Sequence, residues 1–287
     1  MIGAIAGKWA AAWKRIAPHA TLPASKLTVR PFASDAPMRT MMTWKADWKT
    51  NAVAAILARR SGTFIDVGAN VGQSLLDFLS APHRSAYLGF EPNLTCYQHL
   101  AVFISENRLD SCKVIPAGLA DRNGIASLYR LAGDVDSGGT ILKELRPRLH
   151  VMADRCCLFK LDDLPELLPG PEIALIKIDT EGTELEVLRG MATTVRTAQP
   201  WILCEVLHRD ELAEAAPYRR RSAELMRLLG ELGYSVQRAV HDDTRIHVLE
   251  DVTEFPDKVW TDESVRLCDY LFVPSSDLAQ SREALLA

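Results

Sequence analysis

The stretch Phe64-Ile-Asp-Val-Gly-Ala-Asn-Val-Gly72 decides the fold. A short apolar run carries Asp66 near its end, glycines follow at positions 68 and 72, and an amphipathic segment begins directly after them at residues 73–79. A strand, a glycine turn and a helix N-terminus in this order are typical of a loop that holds a nucleotide-containing cofactor. The sequence therefore predicts a Rossmann-like α/β fold with the cofactor at the end of its first strand.

The position of Asp66 indicates the charge of that cofactor. In a dinucleotide-binding loop the backbone amides face a pyrophosphate, and a carboxylate beside this anion would be unfavourable. S-adenosylmethionine carries a sulfonium and an ammonium group, so it suits the acid better. The alternative is an NAD-dependent oxidoreductase on a similar sheet, although the G-x-G-x-x-G spacing of such enzymes is missing.

The composition limits the class of protein. With 287 residues, of which 48% are apolar and 24% charged, the chain is expected to form one large domain with appendages. Its net charge of −4 is mild, which argues against a nucleic-acid partner. The cysteines include no C-x-x-C pair and predict buried, reduced thiols in a cytoplasmic protein. No apolar run reaches the roughly 20 residues that span a bilayer.

Strand and helix patterns alternate along the middle of the chain. Strands are predicted at residues 63–67, 85–90, 112–116, 173–178 and 200–206, with helices at 93–106 and 183–195. Such alternation predicts a mostly parallel sheet with helices on both faces. A hairpin insertion around a Gly/Ser/Asp-rich loop is predicted at residues 124–161. After the fifth strand we expect a helix at 219–232, a strand at 234–240, an irregular segment at 241–265 and a closing strand at 270–273.

Further acids follow the predicted strands. Glu91, in Gly-Phe-Glu-Pro-Asn, comes about 20 residues after the glycine loop, where a carboxylate commonly accepts hydrogen bonds from ribose hydroxyls. It would otherwise be a helix N-terminal acid, with Pro92 at the first helical position. Asp121 follows the third strand and is expected to contact the adenine edge beside Leu119, or else to be a turn residue.

A second motif, Leu175-Ile-Lys-Ile-Asp-Thr-Glu-Gly-Thr-Glu-Leu-Glu-Val-Leu-Arg-Gly190, contains two acids just after a strand. Together with the glycine loop, Gly-Phe-Glu-Pro-Asn and the terminal Asp-Tyr-Leu-Phe-Val-Pro, it resembles the FkbM family of S-adenosylmethionine-dependent methyltransferases. The resemblance covers residues 60–210 closely and the closing strand more loosely.

This resemblance implies a class I methyltransferase fold with a seven-stranded sheet whose last strand is antiparallel. It also implies O-methylation of a hydroxyl on a sugar, a glycan or a small natural product. By the same resemblance, Asp66, Gly68 and Asn70 match the cofactor loop, to which Gly72 belongs, and Glu91 matches the ribose acid. A non-catalytic binding subunit of the same fold remains an alternative.

Four residues at the ends of the fourth and fifth strands are candidates for the chemistry: Asp179, Glu181, Glu205 and His208. An alcohol acceptor has to lose a proton, and a positioned base typically contributes about 10²–10⁴-fold. Asp179 is expected to lie closest to the methyl group. The same four side chains would be the ligands if the enzyme used Mg²⁺ or Ca²⁺, but their spacing matches no metal motif, and we assign no metal site.

We divide the chain into three parts. Residues 1–60 are expected to form a helical extension that serves as a lid or an oligomer contact, residues 61–274 the methyltransferase domain, and residues 275–287 a tail that frays or forms a surface helix. Over residues 2–17, apolar side chains at helical spacing predict a helix on the body or on a second subunit, with peripheral membrane contact as the alternative. The loop at residues 134–140 is a second candidate lid.

Overall fold

The computed structural model describes residues 44–81, 85–130, 139–145, 147, 152–261 and 263–286, and two short strands, β1 (Ala20–Thr21) and β2 (Thr28–Val29). The helix predicted at residues 2–17 and most of the loop predicted at 134–140 lie outside these residues. Within the described part of the chain, no helix combines the length and the apolar character needed to cross a bilayer.

A central sheet organises the molecule. The strands are β3 (Thr63–Val67), β4 (Tyr87–Phe90), β5 (Cys112–Ile115), β6 (Gly118–Leu119), β7 (Gly124–Arg130), β8 (Met152–Phe159), β9 (Ile173–Ile178), β10 (Trp201–Glu205), β11 (Tyr234–His241), β12 (Ile246–Val252) and β13 (Asp269–Pro274). The central sheet has the spatial order β12-β11-β13-β10-β9-β3-β4-β5. The strands from β10 to β5 are parallel, and β13 is antiparallel to β10 and β11. This confirms the predicted parallel sheet with an antiparallel last strand.

In the described residues the central sheet has eight strands and not the predicted seven. The additional strand is β12, in the segment that was predicted to be irregular. Among the described strands it pairs with β11 alone, at the edge of the sheet, and the register shifts between Val240 and His241. An edge strand buries only some of its apolar residues: Leu249 is buried, whereas Val248 is 46% exposed. The alternation that identifies a strand in a sequence is therefore weak here.

Helices cover both faces of the sheet, as predicted. They are α1 (Trp48–Leu57), α2 (Gln73–Ser80), α3 (Leu94–Glu106), α4 (Glu184–Gly190), α5 (Ala192–Ala198), α6 (Ala215–Glu231) and α7 (Leu278–Leu285). Side chains of α1, α2, α3 and α7 pack with Phe64 of β3, and those of α4, α5 and α6 pack with Ile65. Successive strand residues point to opposite faces, so these are two separate cores.

The core extends beyond the predicted domain bounds of residues 61–274. Helix α1 lies before this range and α7 lies in the predicted tail, yet both contribute to the core around Phe64. The tail therefore does not fray over α7, where Ser281, Ala284 and Leu285 are buried. The helix predicted at residues 183–195 is two helices, α4 and α5. Helix α4 ends at Gly190, where a Cβ would lie 1.9 Å from the Ala120 carbonyl oxygen.

A small sheet lies beside the central one in the order β6-β8-β7. Strands β7 and β8 pair antiparallel within the region of the predicted hairpin insertion, and β6 pairs with β8 in parallel. Leu128, Cys156 and Leu158 form a small apolar cluster on its inner side. None of the six cysteines forms a disulfide within the described residues, and only Cys157 on β8 departs from the expectation of buried thiols.

Candidate active site

The carboxyl ends of β3, β4, β9 and β10 open onto one cleft of about 580 Å³. This volume is in the range of small-ligand sites, and strand carboxyl ends are where sheets of this kind bind ligands. The polar walls come from the turns after these strands and from the segment that leads into α1. An apolar wall comes from Leu119, Leu128, Ile141 and Leu158.

The loop after β3 turns sharply, with positive φ at Gly68 (83°), Asn70 (48°) and Gly72 (104°). A Cβ on Gly68 would lie 2.0 Å from the carbonyl oxygen of Asp179. Glycine is required at this position because the backbones that follow β3 and β9 touch there. Gly68 and Asn70 line the cleft, whereas Gly72 is the N-cap of α2 and does not line it.

Glu91 is buried at the end of β4 and lines the cleft with Pro92. Its Oε2 accepts a hydrogen bond from the Asn70 N–H, and its Oε1 accepts one from the Asn93 N–H, both at 2.7 Å. Burial raises the pKa of Glu91 to about 7, although these N–H donors and the charge of Lys177 act in the opposite direction. Each carboxylate oxygen has a second lone pair, so the group can accept further hydrogen bonds from a ligand.

Asp66 is fully buried and does not line the cleft. Its Oδ2 accepts a hydrogen bond from the Tyr87 hydroxyl at 2.6 Å, and its Oδ1 lies 3.4 Å from Lys177 Nζ. Lys177 is the residue directly beside Asp66 on the neighbouring strand β9. Asp66 was expected to contact the cofactor, but its side chain does not line the cleft, because both carboxylate oxygens face groups on neighbouring strands.

Lys177 connects the two acidic strand ends with the glycine loop. Its Nζ also lies 3.4 Å from Asp179 Oδ2 and donates a hydrogen bond to the Gly68 carbonyl oxygen at 3.0 Å. Burial alone would lower the pKa of Lys177, but the charges of Asp179 and Asp66 outweigh it and raise the pKa. The lysine therefore stays charged and holds Asp179 close to the loop.

Asp179 and Glu205 form a hydrogen-bonded carboxyl pair in the cleft. Burial acts to raise the pKa of Asp179, but the positive charges of Lys177 and Lys49 outweigh it, and the pKa is lowered. Burial and the charge of Asp179 raise the pKa of Glu205 to about 8, against the effect of Lys49. Near neutral pH the pair therefore holds one proton, mainly on Glu205.

The turn after β9 brings Glu181 to the cleft wall. Glu181 and Gly182 have φ values of 58° and 105°. Arg221 on α6 donates to the Gly182 carbonyl oxygen at 2.9 Å and makes two hydrogen bonds of 2.6 Å to Glu186. Glu184 accepts from the Gly182 N–H at 2.8 Å. These contacts stabilise a backbone conformation that non-glycine residues rarely adopt.

Besides Asp66 and Gly72, two further predicted site residues do not line the cleft. His208 is 3% exposed, and neither ring nitrogen has a hydrogen-bond partner among the residues that the structure describes. Burial lowers the pKa of His208. Asp121 lies 3.7 Å from the Arg122 guanidinium and does not line the cleft, whereas Leu119 does. His208 lies away from the expected position because it follows the end of β10, where strand geometry no longer determines the direction of its side chain.

The alternative of a metal ion depended on four side chains meeting in the cleft. Asp179, Glu181 and Glu205 line it, but His208 does not. Lys177 already compensates the charge of Asp179. Among the described residues, no group of three or more His, Cys, Asp or Glu side chains has an arrangement suited to a metal ion.

Over residues 66–236, more than half of its length, the sequence matches a family model described as the methyltransferase FkbM domain. The chain belongs to the FkbM methyltransferase family. The matched region contains the glycine loop, Glu91, Asp179 and Glu205.

Three individual matches of this FkbM chain are all distant. The chain is 27% identical to AMB antimetabolite synthetase AmbE of Pseudomonas aeruginosa in an alignment that covers 60% of this chain and 9% of that protein. The structure of methyltransferase FkbM from Methylobacillus flagellatus KT is similar over 85% of this chain and 56% of that one, with 15% identity and a TM-score of 0.44. The structure of an O-methyltransferase from Bacillus cereus in complex with SAH is similar over 85% of this chain and 93% of that one, with 9% identity and a TM-score of 0.43. Since both TM-scores are below 0.5, the family assignment rests on the match to the family model.

One wall of the cleft comes from chain that precedes the FkbM domain. It contains Trp44, Lys45, Asp47 and Lys49. Asp47 caps α1 by accepting hydrogen bonds from the N–H groups of Lys49 and Thr50, and the Thr50 hydroxyl accepts one from the Asp47 N–H. None of these four residues was predicted individually to be part of the site. The capping-box pattern of Asp47 and Thr50 was the available signal for this helix start.

Asp77 on α2 attaches this wall to the FkbM domain. Its Oδ1 accepts hydrogen bonds from the Thr50 hydroxyl at 2.6 Å and from Trp44 Nε1 at 3.1 Å. Burial raises the pKa of Asp77 to about 6, although both hydrogen bonds lower it. Asp77 follows the glycine loop within the first turns of α2, so the wall and the loop are mechanically connected.

Proposed function

We propose that the cleft binds S-adenosylmethionine and that the enzyme transfers its methyl group to a hydroxyl of a sugar or a small natural product. The observation that carries the proposal is that Glu91 and the glycine loop line the same cleft as the Asp179–Glu205 pair. When bound, the cofactor supplies a methyl group activated by its sulfonium.

The residues of the cleft fit this cofactor. The Glu91 carboxylate suits a ribose diol, because its two oxygens can each accept one hydroxyl hydrogen bond. The apolar side chains of Leu119 and Leu158 suit a flat base, and both line the cleft near Pro92. Gly68 and Asn70 expose loop backbone at the same wall. The acids of the cleft outnumber its lysines, which favours a ligand with positive charge.

The carboxyl pair is suited to handle an acceptor hydroxyl. The lowered pKa of Asp179 keeps it ionised, so it can accept a hydrogen bond from the hydroxyl and orient its oxygen. Glu205 has a pKa of about 8, close to the working range, which makes it the better acceptor of the proton itself. This division of roles differs from the expectation that ranked Asp179 first as the base. Transfer should therefore become faster as pH rises through about 8 and Glu205 ionises.

The acceptor wall favours a polyhydroxylated or polar small molecule. Trp44 offers an aromatic surface, and Lys45, Asp47, Gln73 and Asp77 offer hydrogen-bonding groups around it. AmbE, by its name, takes part in the synthesis of an antimetabolite, and this chain spans only 9% of its length. That relative is consistent with a natural-product acceptor, whereas the polar wall is equally suited to a sugar.

Transfer of a radiolabelled methyl group from S-adenosylmethionine to a panel of sugars and natural-product alcohols tests the proposal. We expect label in at least one hydroxyl acceptor, unchanged by EDTA, with a rate that increases as the pH rises through about 8. Glu205→Gln should reduce the rate at least tenfold, while the surface control Glu231→Gln should not change it. Label transfer to amines or thiols alone would contradict O-methylation.

A further inference from the structure

A row of charged side chains lies on the sheet face that α1 covers, next to the carboxyl pair. Glu205 on β10 is the direct cross-strand neighbour of Asp269 on β13. Directly opposed residues of an antiparallel pair have their Cβ atoms about 4.5–5.5 Å apart on the same face. Three carboxyl groups, those of Asp179, Glu205 and Asp269, therefore meet at this edge of the cleft. Such a group needs a cation close by.

Lys49 of α1 supplies that cation. Its Nζ lies 3.3 Å from Asp269 Oδ1, and the lysine lines the cleft together with Glu205 and Asp179. Burial acts to lower the pKa of Lys49, but the charges of Asp269, Glu205 and Asp179 raise it, so the side chain is charged. Lys177 already has Asp66 and Asp179 as partners.

The position of Lys49 is fixed by the contacts of Asp269 and of the neighbouring Trp48. The second oxygen of Asp269 lies 3.1 Å from His241 Nε2, so both oxygens of this carboxylate have partners. The His241 ring stacks on Trp48 with ring centroids 4.1 Å apart and an interplanar angle of 23°. Since Trp48 and Lys49 are adjacent on α1, this stacking holds the helix start against β11 and β13.

We propose that Lys49, held by Asp269 and His241, is a positioning residue that limits how tightly the Asp179–Glu205 pair retains its proton. Lys49, Asp269 and His241 all lie outside residues 66–236, whereas Lys177 lies within them, so the pair has one cation from the matched domain and one from beyond it. Removing the charge of Lys49 leaves Glu205 facing two carboxylates. The pair then retains its proton to higher pH, and less of it is ready to accept a proton from an acceptor. This role of Lys49 rests on the proposed function, because it acts on the carboxyl pair that is proposed to take the acceptor proton.

The titration of Glu205 tests this directly. The protein is labelled with ¹³C at the glutamate side-chain carboxyl, and the Glu205 resonance is assigned by its loss in Glu205→Gln. The groups that face Glu205 are Asp179, Lys49 and Asp269. We expect Lys49→Met to raise the titration midpoint of Glu205 by about one to two pH units, which is a 10- to 100-fold higher affinity for its proton. Lys49→Arg should restore it to near the wild-type value.

Two further variants keep the test decisive. Lys45→Met removes a more exposed lysine of the same segment and should leave the Glu205 midpoint unchanged. Asp269→Asn removes a repelling charge and frees Lys49 for the pair, so it should lower the midpoint even if Lys49→Met does not fold. An unchanged midpoint in Lys49→Met or Asp269→Asn, or an equal shift in Lys45→Met, would overturn the proposal. The titration needs neither cofactor nor acceptor, so its failure is distinct from a failure to bind S-adenosylmethionine.

Discussion

Replacing Gly68 by alanine tests whether the loop after β3 depends on backbone contact with the turn after β9. Gly68 has φ +83°, and Gly233 has nearly the same value, +82°. A Cβ at Gly233 would meet no atom of the described residues within 4 Å, whereas at Gly68 it would lie 2.0 Å from the Asp179 carbonyl oxygen. Gly233→Ala is therefore a matched control that introduces the same backbone strain without the collision.

The contacts of the two glycines indicate how much free energy of unfolding each alanine variant should lose. An alanine in the left-handed region costs about 1–2 kcal/mol, and this applies to both variants. At Gly68 the two backbones must also separate by roughly 1 Å or more before the contact becomes tolerable, and each hydrogen bond lost in doing so costs about 1 kcal/mol. The bonds at risk are those from Gly68 N–H to the Phe90 carbonyl and from Lys177 Nζ to the Gly68 carbonyl, both 3.0 Å long. We therefore expect Gly68→Ala to lower the free energy of unfolding by roughly 3–4 kcal/mol.

Thermal unfolding measures the difference. For a chain of this size, about 1 kcal/mol corresponds to roughly 2–4 °C in Tm, so Gly233→Ala should lose a few degrees and Gly68→Ala about 10 °C. Calorimetric titration with S-adenosylhomocysteine should show weaker binding only in Gly68→Ala. Equal losses of Tm in the two variants, or unchanged binding in Gly68→Ala, would refute the contact argument.

Two further predictions concern buried charges. Lys177→Met should lower the free energy of unfolding at pH 7 by roughly 3–5 kcal/mol, because Asp66 is left buried without its cation. Urea unfolding measures this loss. The control Arg282→Met, at the exposed ion pair with Asp251, should lose much less. A similar loss in both variants would contradict this. Glu205 has a pKa raised to about 8 in the folded protein, so the folded state binds its proton more tightly than the unfolded state and stability falls as pH rises from about 5 to about 8. Glu205→Gln should flatten this part of the Tm–pH curve, and an unchanged slope would show that Glu205 does not titrate in this range.

Local spacing was enough to predict the centre of the fold. The apolar run before Asp66 and the glycines after it located β3, the loop and α2, because each of these signals extends over only a few residues. Glu91 and Asp179 follow buried strands, and the carboxyl ends of parallel strands meet at one edge of a sheet. The cleft and most of its acidic wall were therefore accessible from the sequence.

Features that depend on tertiary packing could not be predicted in the same way. Asp66 was expected in the cleft, but its direction depends on Tyr87 and Lys177, which neighbouring strands bring to it. His208 lies just beyond β10, where strand periodicity no longer determines the direction of a side chain. Lys49 reaches the site only because α1 packs across the sheet, and no local pattern connects it with Glu205.

Equilibrium binding of cofactors to the purified protein tests the central claim most directly. Calorimetric titration should show nanomolar-to-micromolar affinity for S-adenosylmethionine and none for NAD. Glu91→Gln should weaken that affinity about tenfold or more, since a hydrogen bond to a charged group contributes about 1.5–3 kcal/mol. The control Asp121→Asn, outside the cleft, should bind like the wild type. Binding of NAD without S-adenosylmethionine, or equal effects of the two substitutions, would contradict the account.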